Sequence, residues 1–202
     1  MANQTISAIN GLSAFHTIKA DSQPNPNGGT VGLTISELTH QGKLNLRCGA
    51  DMHKKVTKII GMNSNPANNK VTQAGERFVV WLGPDEVMLL VEAGAEVAIA
   101  KQINDAAGKS HMAVNDVTDA LVSMKLKGDA VRHVLAKGCA LDLHKDHFTK
   151  GECAQTIMAH SGITLICVDE DEFILIGRTS FTDYIVAYLA DAALEYGYEV
   201  KA

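Results

Sequence analysis

The order of strand-like and helix-like segments constrains the fold of this chain more than any other feature of its sequence. In the first half, apolar alternation and helical spacing predict the order strand, helix, strand, strand, helix, strand. This order is typical of the split βαβ pattern of ferredoxin-like folds. The segments concerned are 43–48, 51–61, 77–82, 87–91, 95–107 and 111–115.

The clearest single element is a β-hairpin. Two β-rich runs, 77–82 and 87–91, flank the residues Gly83, Pro84, Asp85 and Glu86, which favour a tight turn. The sequence therefore predicts an antiparallel pair with a well-defined register.

The second half repeats much of this order. A strand, a helix and three further strands are predicted, followed by a helix with one apolar stripe that is typical of core packing. The segments are 121–126, 129–137, 154–159, 163–168 and 173–176, and the stripe consists of Phe181, Tyr184, Ile185, Tyr188, Leu189 and Ala192. We predict an α+β protein with antiparallel sheets and a ferredoxin-like βαββαβ order, in two associated halves. The predicted division is an N-terminal arm at 1–30, a first half at 31–118 and a second half at 119–202.

The predicted arm is rich in Asn, Ser and Gly, and its Pro and Gly residues disfavour both helix and sheet. It lacks a core pattern, yet it contains apolar residues that a free tail would leave in water. These are Ile6, Ile9, Leu12, Phe15 and Ile18. We expect the arm to be flexible when free or ordered on a partner.

Composition narrows the classes of partner. The chain has 202 residues and a formal net charge of -5, and its basic residues are dispersed, which argues against nucleic acid and anionic membranes as partners. It has no run of about 20 apolar residues and its start lacks the features of a secretory signal, so we expect a cytoplasmic protein. Four cysteines without a tight framework suit reduced thiols in that compartment.

A metal site is one candidate for chemistry. Cys139, His144, His147 and Cys153 are residue types that bind zinc, but the two histidines are only two residues apart and the cysteines are far apart. Structural zinc sites usually pair their ligands as C-x₂₋₄-C and H-x₃₋₅-H. We therefore expect no metal site here.

Acid–base catalysis is a second candidate, because Asp116 and Asp119 follow a predicted strand. Aspartates at such positions more often stabilise a turn or a helix start, and we favour that interpretation. The chain has no nucleophile elbow and no glycine-rich phosphate loop, so we expect it to bind neither flavin nor NAD by itself. Trp81, the single tryptophan, is interpreted as an anchor in the core or at an interface.

Several short motifs, in the same order over most of the chain, resemble the gamma subunits of heterotetrameric sarcosine oxidases. They are SELTH at 36–40, GKLNLR at 42–47, WLGPDE at 81–86, LAKGC at 135–139, LDLH at 141–144, CAQT at 153–156 and SF at 180–181. Two positions depart from the family pattern: Ala140 stands where proline is common, and Val87 where tryptophan is common.

The resemblance implies a fold similar to the folate-binding aminomethyltransferase domain of the glycine cleavage T-protein. It implies that the complex demethylates sarcosine to glycine with tetrahydrofolate and oxygen, giving methylenetetrahydrofolate or formaldehyde and hydrogen peroxide. FAD, FMN, NAD and tetrahydrofolate are then expected on the alpha and beta subunits and zinc on delta, with alpha as the most direct partner of gamma. No catalytic, cofactor-binding or metal-ligating residue is expected in this chain. The alternative is a stand-alone folate-binding aminomethyltransferase-like enzyme that uses Asp116 or Asp119.

Overall fold

The computed structural model describes residues 13–16, 18 and 21–201, which form two β-sheets and four α-helices. In chain order the strands are β1 (Ser22–Gln23), β2 (Leu33–Glu37), β3 (Gly42–Cys48), β4 (Val71–Ala74), β5 (Arg77–Gly83), β6 (Glu86–Val91), β7 (Met112–Asp116), β8 (Leu121–Lys127), β9 (Cys153–Met158), β10 (Ser161–Asp169), β11 (Glu172–Arg178) and β12 (Tyr198–Lys201). The helices are α1 (Ala50–Ile59), α2 (Glu96–Ala107), α3 (Val131–Ala136) and α4 (Thr182–Ala192), with a 3₁₀ turn at Thr179–Phe181. The helices in these ranges lack the combination of length and apolar composition that a membrane-spanning helix requires.

The first sheet has the strand order β4-β5-β6-β3-β7, and all of its neighbours are antiparallel. Its β3-α1-β5-β6-α2-β7 succession confirms the predicted strand and helix order of the first half. The predicted hairpin is also confirmed, with the strands extended to Gly83 and Glu86. The sequence prediction missed β4, because this strand is short and lies at the sheet edge, where half of its residues are exposed.

The second sheet has the strand order β1-β12-β2-β8-β11-β10-β9. Its pairs are antiparallel except β12 with β2, which run parallel. No strand was predicted at 33–37, which falls within the predicted first half, 31–118. As β2, this segment lies between β12 and β8 of the second sheet.

The two sheets pack face to face and carry helices on their outer faces. On β6, Val87 and Leu89 contact the α1/α2 side, whereas Met88 and Leu90 point into the core between the sheets. This alternation follows from the period of two along a strand. The inner core, defined here as the buried residues between the sheets, consists of Phe78, Val80, Met88, Leu90, Cys153, Ile166, Ile174 and Ile176. Two outer cores lie on the other faces of the sheets. The first lies between the first sheet and helices α1 and α2, and the second lies between the second sheet and helices α3 and α4.

The described part of the N-terminal segment packs against this second outer core. Phe15 is completely buried there and Ile18 packs beside it. The Glu37 carboxylate accepts hydrogen bonds from the Ser13 hydroxyl and from the backbone N–H of Ala14 at 2.9 Å. Phe15 is therefore removed from water within this chain, and Ile18 is removed in part, without a partner subunit. Ile6, Ile9 and Leu12 lie outside the described residues.

Candidate functional site

Two clefts open at opposite ends of the inner core, where the sheets are not covered by one another. Strand β11 contributes to both, with Ile174 in the first cleft and Ile176 in the second. The first cleft has a volume of about 460 Å³ and the second about 590 Å³. Clefts of this size are the usual places for a ligand or a partner segment.

The first cleft is lined by several glutamates, and three of them already have partners. Glu92 accepts a hydrogen bond from Arg77 at 2.8 Å, and Glu172 lies 3.1 Å from the Lys125 ammonium. The third is Glu37, which holds the N-terminal segment. These carboxylates join neighbouring strands and segments, so they are not free to bind a cationic ligand.

In the described part of the chain, the second cleft is lined by two charged residues, Glu86 and Arg178. Its floor is the inner face of the second sheet, and its opposite wall comes from the first sheet. On that wall, Glu86 accepts hydrogen bonds from Asn45 at 2.8 Å and from Arg47 at 2.8 Å. The hydrogen bond from Asn45, followed by that from Arg47, lowers the pKa of Glu86. Across the described residues, the guanidinium of Arg178 in this cleft has no hydrogen bond or ion pair.

A buried lysine lies on β3 between the sheets. Lys43 is 2% exposed, and its ammonium donates one hydrogen bond, to the Gln41 carbonyl at 2.8 Å. Burial lowers the pKa of Lys43 to about 8, although the charges of Glu37 and Asp119 oppose this shift. Desolvation disfavours the charged form of an amine more than these distant carboxylates favour it.

The pH dependence of stability should report this burial. Below about pH 8 the Lys43 ammonium is charged in both the folded and the unfolded chain, so the penalty for burying the charge is fully present. Between pH 8 and about 10.5 the folded chain binds fewer protons than the unfolded chain, so the free energy of unfolding rises with pH. We expect wild-type chain to gain roughly 3 kcal/mol in unfolding free energy relative to Lys43→Met between pH 7.5 and 10.5, from the size of the shift. Urea denaturation of both proteins at each pH measures this difference. A difference that stays constant with pH would contradict it.

The two aspartates proposed as acid–base candidates lie at the turn after β7. The Asp116 carboxylate accepts a hydrogen bond from the Thr118 N–H at 3.0 Å, which is the turn-stabilising role favoured from the sequence. Asp119 is exposed, and its backbone carbonyl accepts a hydrogen bond from the Thr179 hydroxyl at 2.9 Å. Neither lines the two clefts described above.

The four zinc-type residues do not meet in one place. Cys139 belongs to the outer core of the second sheet, whereas Cys153 lies in the inner core on the opposite face. The imidazoles of His144 and His147 are neighbours, with ring centroids 5.7 Å apart, and His147 is hydrogen-bonded to Asp142, which raises the pKa of His147. Among the described residues, no group of three or more His, Cys, Asp or Glu side chains is arranged to hold a metal ion.

Trp81 is half-buried against the inner core. Its carbonyl accepts a hydrogen bond from the Cys153 thiol at 3.5 Å, so it joins the first sheet to the second. This position agrees with the anchor role expected from the sequence.

Sequence reasoning missed Lys43, Glu37 and Arg178. Lys43 precedes the apolar Leu44 in a predicted strand, and this alternation predicts an ordinary solvent-exposed lysine. Its burial follows only when the second sheet is known to cover it. Glu37 and Arg178 lie at strand ends, and no local pattern distinguishes them from other surface charges. Glu37 and Lys43 do lie within family motifs, at 36–40 and 42–47, whereas Arg178 lies in none of them.

Comparison with known proteins agrees with this architecture. Residues 48–195 match the sarcosine oxidase gamma subunit family. The gamma subunit of sarcosine oxidase from Corynebacterium sp. (strain U-96) is 29% identical over 171 residues, which cover 83% of this chain and 82% of that protein.

Solved structures show the same relationship. A chain of the heterotetrameric sarcosine oxidase from Corynebacterium sp. U-96, in complex with pyrrole 2-carboxylate, superimposes with a TM-score of 0.77 at 28% identity, over 84% of this chain and 87% of that chain. The aminomethyltransferase T of the glycine cleavage system from Bartonella henselae has a TM-score of 0.61 at 12% identity, over 84% of this chain and 48% of that chain. This second match shows a shared fold, as the resemblance implied. The family match covers most of the chain, and the chain therefore belongs to the gamma subunit family of sarcosine oxidase.

Proposed function

We propose that this chain is the accessory gamma subunit of a heterotetrameric sarcosine oxidase in the cytoplasm. The complex would demethylate sarcosine oxidatively to glycine, pass the methyl carbon to tetrahydrofolate or release it as formaldehyde, and reduce oxygen to hydrogen peroxide. The observation that carries this proposal is the match to one chain of a solved heterotetrameric oxidase over 84% of the present chain and 87% of that chain.

We propose further that gamma acts structurally and that alpha is its most direct partner. The structural role is supported by the contacts of three carboxylates. Asp116, one of the two acid–base candidates, closes a turn, and Glu86 and Glu92 of the two clefts are paired with Arg47 and Arg77. Alpha is proposed as the partner from the family resemblance.

The cofactors are assigned to the other subunits: FAD, FMN, NAD and tetrahydrofolate to alpha and beta, and zinc to delta. The absence of a glycine-rich phosphate loop in the sequence supports this for the nucleotides. For zinc, the support is that Cys139 and Cys153 lie on opposite faces of the second sheet. Purified alone, the chain should carry no flavin absorbance.

Co-purification tests the assignment. The tagged chain, expressed together with the alpha, beta and delta subunits of the same oxidase, should recover all three in equal amounts, as identified by mass spectrometry. A chain that remains alone under these conditions would contradict the proposal and leave a stand-alone aminomethyltransferase-like enzyme or a binding module without a catalytic role.

Catalysis by this chain is tested on the assembled oxidase. Asp116→Asn and Asp119→Asn should each leave turnover within about threefold of wild type, because removal of a true general base costs about 10²–10⁴-fold. Turnover is measured as hydrogen peroxide formed from sarcosine, with subunit content checked on the same sample. A hundredfold loss of turnover at unchanged assembly would show that gamma carries chemistry.

A further inference from the structure

The second cleft exposes part of a sheet face that would normally be covered. On β9, Cys153 lies in the inner core, so Ile157, four residues further, points to the same side of the sheet. Ile157 is nevertheless 55% exposed. On β11, Ile176 and Arg178 follow Ile174 on this same inner side, and both line the cleft. The first sheet does not reach far enough to cover this end of the second.

A glycine keeps the floor of the cleft flat. Gly162 on β10 is directly opposite Ile157 in the β9–β10 ladder. A Cβ atom placed on Gly162 would have no other atom within 4 Å. Because Gly162 has no side chain, the space above the sheet is open at this position. No close contact within the fold requires a glycine there.

Strand β9 is the edge strand of the second sheet beside the cleft, and among the described residues its backbone is not paired outward at Gln155 and Ile157, although the Gln155 side chain donates to the Leu82 carbonyl at 2.8 Å. The Cys153 N–H donates to the Asn69 carbonyl at 2.9 Å, away from β10. Because alternate residues of an antiparallel strand point their N–H groups to the same side, those of Gln155 and Ile157 also point outward. Exposed strand edges of this kind accept an additional strand from another chain.

The charged side chains of the second cleft indicate the charge that its occupant should carry. Of the charged side chains that line it in the described part of the chain, Glu86 is neutralised by Arg47 at 2.8 Å, whereas Arg178 has no partner. An unpaired guanidinium next to apolar side chains suits a carboxylate, which it can bind through two hydrogen bonds. In the first cleft, by contrast, the lining cation Lys125 is already paired with Glu172 at 3.1 Å.

We propose that the second cleft is a docking site for an extended segment of another subunit of the oxidase. The segment pairs with the free edge of β9 at Gln155 and Ile157, places an apolar side chain over Gly162 against Ile176, and pairs a carboxylate with Arg178. This inference rests on the proposed function, because it assumes that the chain assembles with the other oxidase subunits.

Two substitutions test the docking site in the co-expressed complex. Gly162→Val adds three carbon atoms to the open floor, and Arg178→Glu reverses the free charge. Each should reduce the partner subunits retained by the tagged chain at least about tenfold, as expected for the centre of an interface. The melting temperature of each isolated variant should stay close to that of wild type, since Gly162 has free space and the Arg178 side chain has no hydrogen bond or ion pair with another described residue.

Matched controls separate this site from general effects. Ala93→Leu also adds three carbon atoms, but to the first cleft, and Lys109→Glu makes the same charge change at an exposed position after α2. Both should assemble like wild type.

The possible results separate the two proposals. If wild type recovers the other subunits and both test variants do so equally well, the docking site is wrong while the proposed function stands. If wild type recovers none of them, the proposed function itself fails, and the docking site with it. If the isolated wild-type chain is a dimer that Gly162→Val converts to a monomer, the cleft holds a second copy of this chain and the assignment to another subunit is wrong.

Discussion

Phe15→Ala should lower the free energy of unfolding by about 3–5 kcal/mol, the usual cost of removing a buried phenylalanine ring. Phe15 is completely buried in the outer core of the second sheet, although it lies in a turn at 14–16 and not in a helix or strand. Its position is held by Glu37, whose carboxylate accepts hydrogen bonds from this segment. For a chain of this length, the loss corresponds to a fall in melting temperature of roughly 10 °C.

Calorimetry and urea denaturation of the isolated chain measure this effect. Phe181→Ala is the matched control, because the same ring is removed from a position that is 38% exposed. The control should lose clearly less stability. Equal melting temperatures for wild type and Phe15→Ala would mean that the N-terminal segment does not dock on this chain.

Gly128→Ala should be comparably destabilising, by about 3 kcal/mol or more, which is in the upper range for single substitutions. Gly128 has a φ of +146°, and a Cβ atom there would lie 2.1 Å from the Gly32 carbonyl oxygen. That oxygen accepts a hydrogen bond from the Ala130 N–H at 3.1 Å. An added methyl group must therefore push β2 away from the turn that begins α3.

Gly151→Ala separates the two causes of the stability loss at Gly128, which are the strain of a positive φ and the contact of the added methyl group with Gly32. Gly151 has a φ of +84°, but a Cβ atom there meets nothing within 4 Å. Alanine at this position should cost only the backbone strain of about 1–2 kcal/mol. Urea denaturation of both variants measures the difference, and equal losses would show that the approach of Gly128 to Gly32 has no energetic importance.

Local sequence patterns predicted most of the regular elements, because each depends on neighbours within about ten residues. The hairpin of β5 and β6 followed from two β-rich runs around Gly83 and Glu86, and α4 from one apolar stripe. The role of Asp116 as a turn residue could also be inferred from the sequence, because its carboxylate accepts a hydrogen bond from Thr118, only two residues further along the chain.

The candidate docking site could not be predicted in this way. Ile157, Gly162 and Arg178 are separate positions in three strands, and nothing in their local sequence shows that the first sheet leaves them uncovered. Whether an apolar side chain is exposed depends on the size and offset of the opposing sheet, which is a property of the complete fold.

The sequence by itself thus determined the α+β class, the order of most of the regular elements and the family, because these depend on short-range periodicity and on ordered motifs. The tertiary structure alone decided that β2 joins the second sheet next to β8, about ninety residues away in the chain. It also decided that Phe15 is buried, that Lys43 loses its water and that the face around Gly162 remains open. Each of these outcomes depends on which distant surfaces pack together, and distant packing leaves no periodic signal in the chain.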